Sequence, residues 1–448
     1  MTLSKIDIGQ KPTYTKLGEG LDFFELFEKV EQSFDTCFIF ESLGEEGKFS
    51  RYSIIGFKPD HIISAHEKNL TFDGEQYHVE NPYDALREIM PQKTLGREYA
   101  GGLIGYLSYE ALNYFEPSLH VKVHPVFGQF MFGVYTDGLI LDKLTNELFY
   151  FHYSGDRSEE LKELMRSDAK KGLFKAAFVR DERTEEEHAQ IVERVKEHIR
   201  AGNTFQCEVG FRSEYKVEGD TLQIYERLRN VNPSPFMYYL SFADRKIIGA
   251  SPELLFSLRD GEMTTRPLAG TTARGKTEAE DQKLARALLS DEKERAEHNM
   301  LVDLHRNDIG RVAEFGSVRI RDLMSVKKFS HVQHISSEIV GTIRRGEDMF
   351  SALAANFPAG TVSGAPKIES IKIIDRNEAL ARGPYGGAVG HFGFNGDCTF
   401  ALALRSVFIS GSDAYTQTSG GIVYDSEPKK EYEEIKNKLA AMKKVLDV

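Results

Sequence analysis

The stretch VRDERTEEEHAQIVERVKEHIRAGNTFQCEVGF, residues 179–211, marks where the texture of the chain changes. Within it Ile191, Val192, Val195 and Ile199 recur at helical spacing, and Gly202-Asn203 supplies a stop before FQCEVGF (205–211), which reads as a strand. Upstream lie mostly short strands and turns. CFIFESL (37–43), RYSIIGF (51–57), GGLIGYLSY (101–109) and FGVYTDGLILD (132–142) carry aromatic and β-branched residues with Gly, Pro and Asp between them. Downstream, helices are expected over 220–230, 278–306, 349–356, 368–380 and 428–445, interspersed with strands such as PFMYYLSF, KIIGAS and FALALRSVF. This alternation is too uneven for a regular βαβ array, so the expected fold class is α+β, with large mixed or antiparallel sheets and helices outside. The change of texture divides the chain into 1–180 and 181–448, although large sheets can draw strands from both parts.

A chain of 448 residues has room for two or three packed units. Its 41% hydrophobic and 28% charged residues fit a soluble globular protein. No apolar run approaches the roughly 18 residues that cross a bilayer, so no membrane span is expected. The opening MTLSKIDIGQKPTYTKLGEG has no apolar signal core. Cys37, Cys207 and Cys398 stand far apart, which fits neither a disulfide framework nor a zinc site, and a cytoplasmic location follows. A net charge of -12 argues against nucleic acid as the main partner, so any anionic substrate must be held locally.

Two helices carry paired carboxylates. Glu294 and Glu297 are three apart, beside a stripe of Ala296, Met300 and Leu304 with Leu301 next to it. Glu431 is in line with the stripe Ile435, Leu439, Met442 and Val445, and Glu434 follows three residues on. Two such pairs meeting in space offer hard oxygen ligands suited to Mg²⁺; two that do not meet simply dress helix surfaces. FPAGTVSGAPK (357–367) leads flexible backbone into a helix N-terminus, which suits a carboxylate or phosphate, or is a structural turn. GPYGGAVG likewise either lets backbone approach a ligand or turns tightly between strands. His334 is a candidate acid or base, or a core histidine. Arg405, a cation inside the apolar run FALALRSVF, needs an anionic partner, and Lys438 shares a helix face with Glu434.

Nine ordered segments together carry a resemblance: AGNTFQCEVGFR, NPSPFMYYL, IIGASPELL, RPLAGTTARG, DEKERAEHNMLVDLHRNDIGRV, HVQHISSEIVG, FPAGTVSGAPK, RGPYGGAVG and GGIVYDSEPKKEYEEIKNK. In this order they resemble the chorismate-utilising enzymes, specifically the anthranilate synthase component I family. The first half matches more thinly, chiefly through FESLGEEGKFSRYSIIG (40–56). The resemblance implies an α/β/β/α layered fold, with 181–448 binding chorismate and 1–180 serving a regulatory and structural role. It implies a lyase that adds ammonia to C2 of chorismate as the C4 hydroxyl leaves, then eliminates pyruvate from aminodeoxyisochorismate to give anthranilate, the first committed step of tryptophan biosynthesis.

By the same resemblance, Glu297 and Glu434 are direct Mg²⁺ ligands while Glu294 and Glu431 hold metal-bound waters. His334 and Thr271 lie near the reacting ring; Tyr385, Arg405 and Lys438, with backbone N–H groups around Gly420 and Gly421, hold the substrate. Two positions sharpen the reading. Relatives that use water carry lysine where this chain has Gln206, and a glutamine cannot serve as that base. Relatives that make aminodeoxychorismate carry a nucleophilic lysine in a PIKGT turn, whereas this turn reads PLAGT with Ala269. The alternative of an aminodeoxychorismate synthase component I of folate biosynthesis is thereby disfavoured. Glu41, Ser42, Pro233, Ser234 and Met237 resemble a site for tryptophan as feedback inhibitor. The chain contains no nucleophile-elbow cysteine, so a separate glutamine amidotransferase subunit, component II, is expected to supply ammonia.

Overall fold

The computed structural model describes residues 4–20, 22–44, 50–91, 93–96, 99–329 and 332–448. Residues 45–49 of the FESLGEEGKFSRYSIIG match, and His331, lie outside the described residues.

Among the described residues two 12-stranded sheets stack face to face, and within each the strands pair antiparallel. The first runs, in spatial order, Thr13–Glu19, Glu147–His152, Asp137–Asp142, Tyr52–Phe57, Thr36–Glu41, Phe236–Phe242, Arg245–Ser251, Ser406–Ser410, Asp413–Ile422, Gln206–Gly219 and Phe174–Asp181, with Gly364–Ala365 paired to Gln206–Gly219 off this path. The second begins at Leu268–Ala273 and Val332–Thr342, passes through Leu254–Arg259, Cys398–Leu402 and Ala388–Gly393, and ends with strands from the first 135 residues. Each sheet therefore takes strands from both sides of residue 180. The join is direct in each: Met237 registers with Glu41 in one, and Gly390 with Gly105 in the other.

Alternation along the strands builds the layers. Cys37 and Ile39 point into a core shared with the Phe23–Ser33 and Leu222–Val231 helices, while Phe38 between them joins Tyr106, Tyr135, Tyr238 and Val389 in the core between the sheets. On the far side, Val302, Ile309 and Phe350 bring helices onto the second sheet. The order is helix, sheet, sheet, helix, as the resemblance implies. Among the described residues no helix is long and apolar enough to cross a membrane.

The structure corrects three sequence expectations. FGVYTDGLILD and FALALRSVF are not single strands. Phe130–Tyr135 lies in the second sheet and Asp137–Asp142 in the first; Cys398–Leu402 and Ser406–Ser410 divide in the same way. Arg405 is at that corner with φ 49, a left-handed conformation that breaks the ladder. IIGASPELL crosses too, from Arg245–Ser251 to Leu254–Arg259, with Glu253 at its corner. Second, the helix expected over 278–306 is two, Glu278–Ser290 and Glu292–Gly310, because Asp291 caps the second through Lys293 N and Glu294 N.

Third, Ala296, Met300 and Leu304 are not the buried stripe of that second helix; the buried face is His298, Leu301, Val302, His305, Asp308 and Ile309. Apolar periodicity misses this face because half of it is polar, each such side chain being held by a hydrogen bond or ion pair. His298 bonds Ser337 Oγ at 2.7 Å, His305 bonds Thr265 Oγ1 at 2.8 Å, and Asp308 pairs with Lys367 at 2.6 Å. The C-terminal helix, Pro428–Leu446, buries Ile435, Leu439, Met442 and Val445 as its spacing predicts.

Candidate active site

The Glu292–Gly310 helix lies on the second sheet and the C-terminal helix on the first, so their carboxylates approach from opposite layers. Glu294 has its carboxyl raised above the usual range by burial, then by the charge of Glu297, with Glu434 of the other helix adding to it. Glu431 is raised in the same way, by burial and by Glu434. The two ExxE pairs thus share one electrostatic neighbourhood. Among the described residues no three acidic, His or Cys side chains are gathered as a ready metal cluster. The donor set still fits a hard divalent cation: the carboxylates repel one another, and Lys438, 2.7 Å from Glu434, and Lys293 offset that repulsion only in part. Small residues let these groups in. A Cβ on Gly270 would stand 2.8 Å from Glu294 Oε2, and one on Gly420 would stand 3.4 Å from Glu431 Oε2.

A chain of hydrogen bonds runs inward from Glu297. Gln206 Nε2 donates to Glu297 Oε1 at 3.1 Å and to Glu208 Oε1 at 3.4 Å. Ser419 Oγ donates to Glu208 Oε2 at 2.7 Å, and Tyr385 Oη to Ser419 Oγ at 3.0 Å. Lys438 Nζ donates to Ser419 O at 3.0 Å. Because the Gln206 amide nitrogen faces two carboxylates, its orientation is settled, and its Oε1 is left buried with no partner. Glu208 is pushed up to about 7 by burial and by Glu297, against the pull of Lys438 and Ser419. Gly421 registers opposite Glu208, and a Cβ there would come within 2.4 Å of Gln206 Nε2 and 2.7 Å of Glu208 Oε1.

The opposite wall is built by strands Leu268–Ala273 and Val332–Thr342, on which Thr271 registers with His334. His334 Nδ1–H donates to Gly270 O at 2.9 Å, with Thr271 Oγ1 at 3.1 Å, so the lone pair is on Nε2, which is buried and unpartnered. Burial, then the charge of Arg405, holds this imidazole down at about 4, keeping it neutral. Arg405 itself reaches Asn232 Oδ1 at 3.4 Å.

Glu253, which sequence reasoning passed over, stands at the neighbouring sheet crossing. It is 3% exposed, accepts from Thr361 Oγ1 at 2.9 Å, and burial pushes it up to about 8. A glutamate between the apolar runs IIGAS and LLF was its only signal. Glu208 was missed for a similar reason, lying inside a buried strand. FPAGTVSGAPK behaves as the structural turn: Gly364 and Ala365 pair with Cys207 and Gln206, and the helix begins only at Lys367. GPYGGAVG also packs tightly, since a Cβ on Gly387 would meet Leu107 O at 2.1 Å.

The residues singled out for an inhibitor lie elsewhere, at the join of Thr36–Glu41 with Phe236–Phe242. Glu41, Ser42 and Met237 line a cavity between the sheets, with Tyr238, Val389 and His391. Pro233 and Ser234 form the adjoining turn, where Leu43 N donates to Ser234 O at 2.9 Å. Ser42 Oγ is buried without a partner. The Glu41 carboxylate is already engaged, by Arg229 Nε at 2.6 Å and Tyr225 Oη at 2.9 Å.

Residues 35–444 match the family of chorismate binding enzymes. Over 455 aligned residues the chain is 52% identical to anthranilate synthase component 1 of Leptospira biflexa, covering 100% of this chain and 98% of that protein. It is 41% identical to anthranilate synthase component 1 of Methanothermobacter thermautotrophicus, over 95% of this chain and 92% of the relative. The crystal structure of anthranilate synthase component I from Streptococcus pneumoniae superposes with a TM-score of 0.80 at 34% identity, over 90% of this chain and 94% of that one. The chain belongs to the chorismate binding enzymes and, within them, to the anthranilate synthase component 1 family.

Proposed function

We infer that the chain converts chorismate and ammonia to anthranilate and pyruvate through aminodeoxyisochorismate, in tryptophan biosynthesis. The observation that carries the choice of nucleophile is Gln206. Held between Glu297 and Glu208, its amide cannot take a proton from water, but it can stand beside ammonia. Ala269 likewise removes the covalent route that a lysine would open.

Glu297 and Glu434 would hold Mg²⁺, with Glu294 and Glu431 behind them through water, and its charge would supply neutralisation of a substrate carboxylate. Lys438, Arg405 and the N–H groups around Gly420 and Gly421 take up the remaining anionic groups, while Tyr385 orients the enolpyruvyl side. Glu253, protonated near neutral pH, gives its proton to the departing C4 hydroxyl. His334, neutral with a free lone pair on Nε2, accepts the ring proton as pyruvate leaves. Thr271 helps hold that imidazole.

All three cysteines are buried, and burial pushes each thiol up, so none is a nucleophile for glutamine. A separate amidotransferase subunit, component II, is the proposed ammonia source, and the cytoplasm, where such thiols stay reduced, the proposed compartment. Tryptophan is the proposed inhibitor at the cavity between the sheets, where Ser42 Oγ offers a buried, unused polar atom. The N-terminal 1–180 segment, which supplies Glu41 and Ser42, would serve that regulation.

The test is product analysis of the chain with chorismate, ammonium and Mg²⁺. Fluorescent anthranilate and pyruvate in equal amounts are expected, with less of both on adding tryptophan. Isochorismate as product would overturn the reading of Gln206, and aminodeoxychorismate would favour the folate enzyme instead.

A further inference from the structure

We propose that Glu208, together with the free Oε1 of Gln206, forms the pocket that receives ammonium and presents it as ammonia to the ring. The proposal rests on the chorismate-aminating reading and adds to it the site of the nucleophile.

Ammonium and ammonia bring only N–H donors and one lone pair, so a site for them must offer acceptors. Gln206 Oε1 is such an acceptor, buried and unpartnered, on a residue 3% exposed. Its amide nitrogen is committed to Glu297 and Glu208, which leaves the oxygen as the unused acceptor of the amide. Two residues along the same strand, Glu208 projects on the same side. Its Oε1 is only loosely held, at 3.4 Å from Gln206 Nε2, while Oε2 is fixed by Ser419 at 2.7 Å.

The backbone is clamped as well. Glu208 N donates to Ser363 O at 3.0 Å, and the buried Arg382 donates to Glu208 O at 2.9 Å. Gly421 opposite leaves the room that both side chains fill. The pocket thus lies between Glu297, on the metal side, and Tyr385, on the substrate side.

The step balances. Nitrogen bonds to C2 with its lone pair, the ring electrons shift, and the C4–O bond breaks as the hydroxyl takes a proton from Glu253 and leaves as water. Before this attack the bound ammonium gives one proton to the Glu208 carboxylate, which frees the lone pair, and the new substituent on C2 stays a protonated amine.

A structural role for Glu208, holding Ser419 and Tyr385 in place, would instead disturb chorismate binding. Steady-state kinetics with ammonium chloride separate the two. In Glu208→Gln, KM for ammonium at saturating chorismate should rise at least tenfold, with KM for chorismate within twofold of the parent. Glu208→Asp should recover part of the ammonium affinity. An unchanged KM for ammonium, or a raised KM for chorismate alone, overturns the proposal. Should Glu208→Gln not fold, Glu208→Asp decides alone: a raised KM for ammonium supports the pocket and an unchanged one refutes it. Failure of the parent chain to form anthranilate from chorismate and ammonium strikes the aminating reading instead, so the two failures are distinct.

Discussion

Glu253 and His334 occupy opposite protonation states for one physical reason. Burial penalises whichever form is charged, so the carboxyl is pushed up to about 8 and the imidazole down to about 4. One therefore holds a proton at neutral pH and the other lacks one, as an acid and a base require. Glu253→Gln should lower turnover by roughly 10²- to 10⁴-fold, measured as anthranilate fluorescence. It should also change the pH dependence of stability. A carboxyl raised in the folded state contributes stability that is full below its unfolded value and is lost as pH rises through about 8. Glu110, also pushed up to about 8 by burial, and Glu208, at about 7, have the same sign. The lowered histidines act oppositely: His298 at about 4 and His305 at about 3 cost stability as pH falls below the unfolded histidine range. The melting temperature should peak between these flanks, and Glu253→Gln should flatten the alkaline one; an unchanged alkaline flank would contradict the assignment. None of these environments is visible from residue spacing, because burial of a lone polar residue leaves no periodic trace.

Helix existence was legible from periodicity, and helix facing was legible only where the buried face is apolar. Ile435, Leu439, Met442 and Val445 announced the inner face of the C-terminal helix. The face of Glu292–Gly310 was hidden, because His298, His305 and Asp308 are buried through hydrogen bonds rather than hydrophobicity. The sheet crossings were hidden for another reason: FALALRSVF keeps strand composition straight through the left-handed turn at Arg405. Two glycines predict different outcomes. Gly364, at φ 133 with Gln206 O only 2.2 Å from any added Cβ, holds a backbone junction. Gly364→Ala should cost roughly 1–3 kcal/mol or more in denaturant unfolding. At Gly421 the added Cβ meets the side chains of Gln206 and Glu208, which can shift. Gly421→Ala should keep most of the stability yet lose at least about tenfold in turnover, because the shifted groups belong to the site.

At the scale of the whole molecule, the change of texture near residue 180 is real in the sequence but is crossed by both sheets. The 181–448 fragment made alone would expose the edges of Phe236–Phe242 and Ala388–Gly393, which pair with Thr36–Glu41 and Gly102–Leu107. It should lack cooperative unfolding, checked by near-ultraviolet circular dichroism during a thermal scan; a sharp transition would show an independent unit. Large sheets were inferable from uneven alternation and their layering from the resemblance, whereas strand order was not legible, since long-range pairing is not encoded in any local window. The metal site has the same status. Two ExxE pairs are ordinary helix surface until the two layers bring Glu294 within the field of Glu434. The convergence of helices from opposite layers on one ion is the central claim, and Mn²⁺ used as a paramagnetic substitute for Mg²⁺ tests it without recourse to turnover. Electron paramagnetic resonance titration with chorismate present should find one bound Mn²⁺ per chain, lost in Glu297→Gln and equally lost in Glu434→Gln. Binding as tight in either variant as in the parent chain would contradict it.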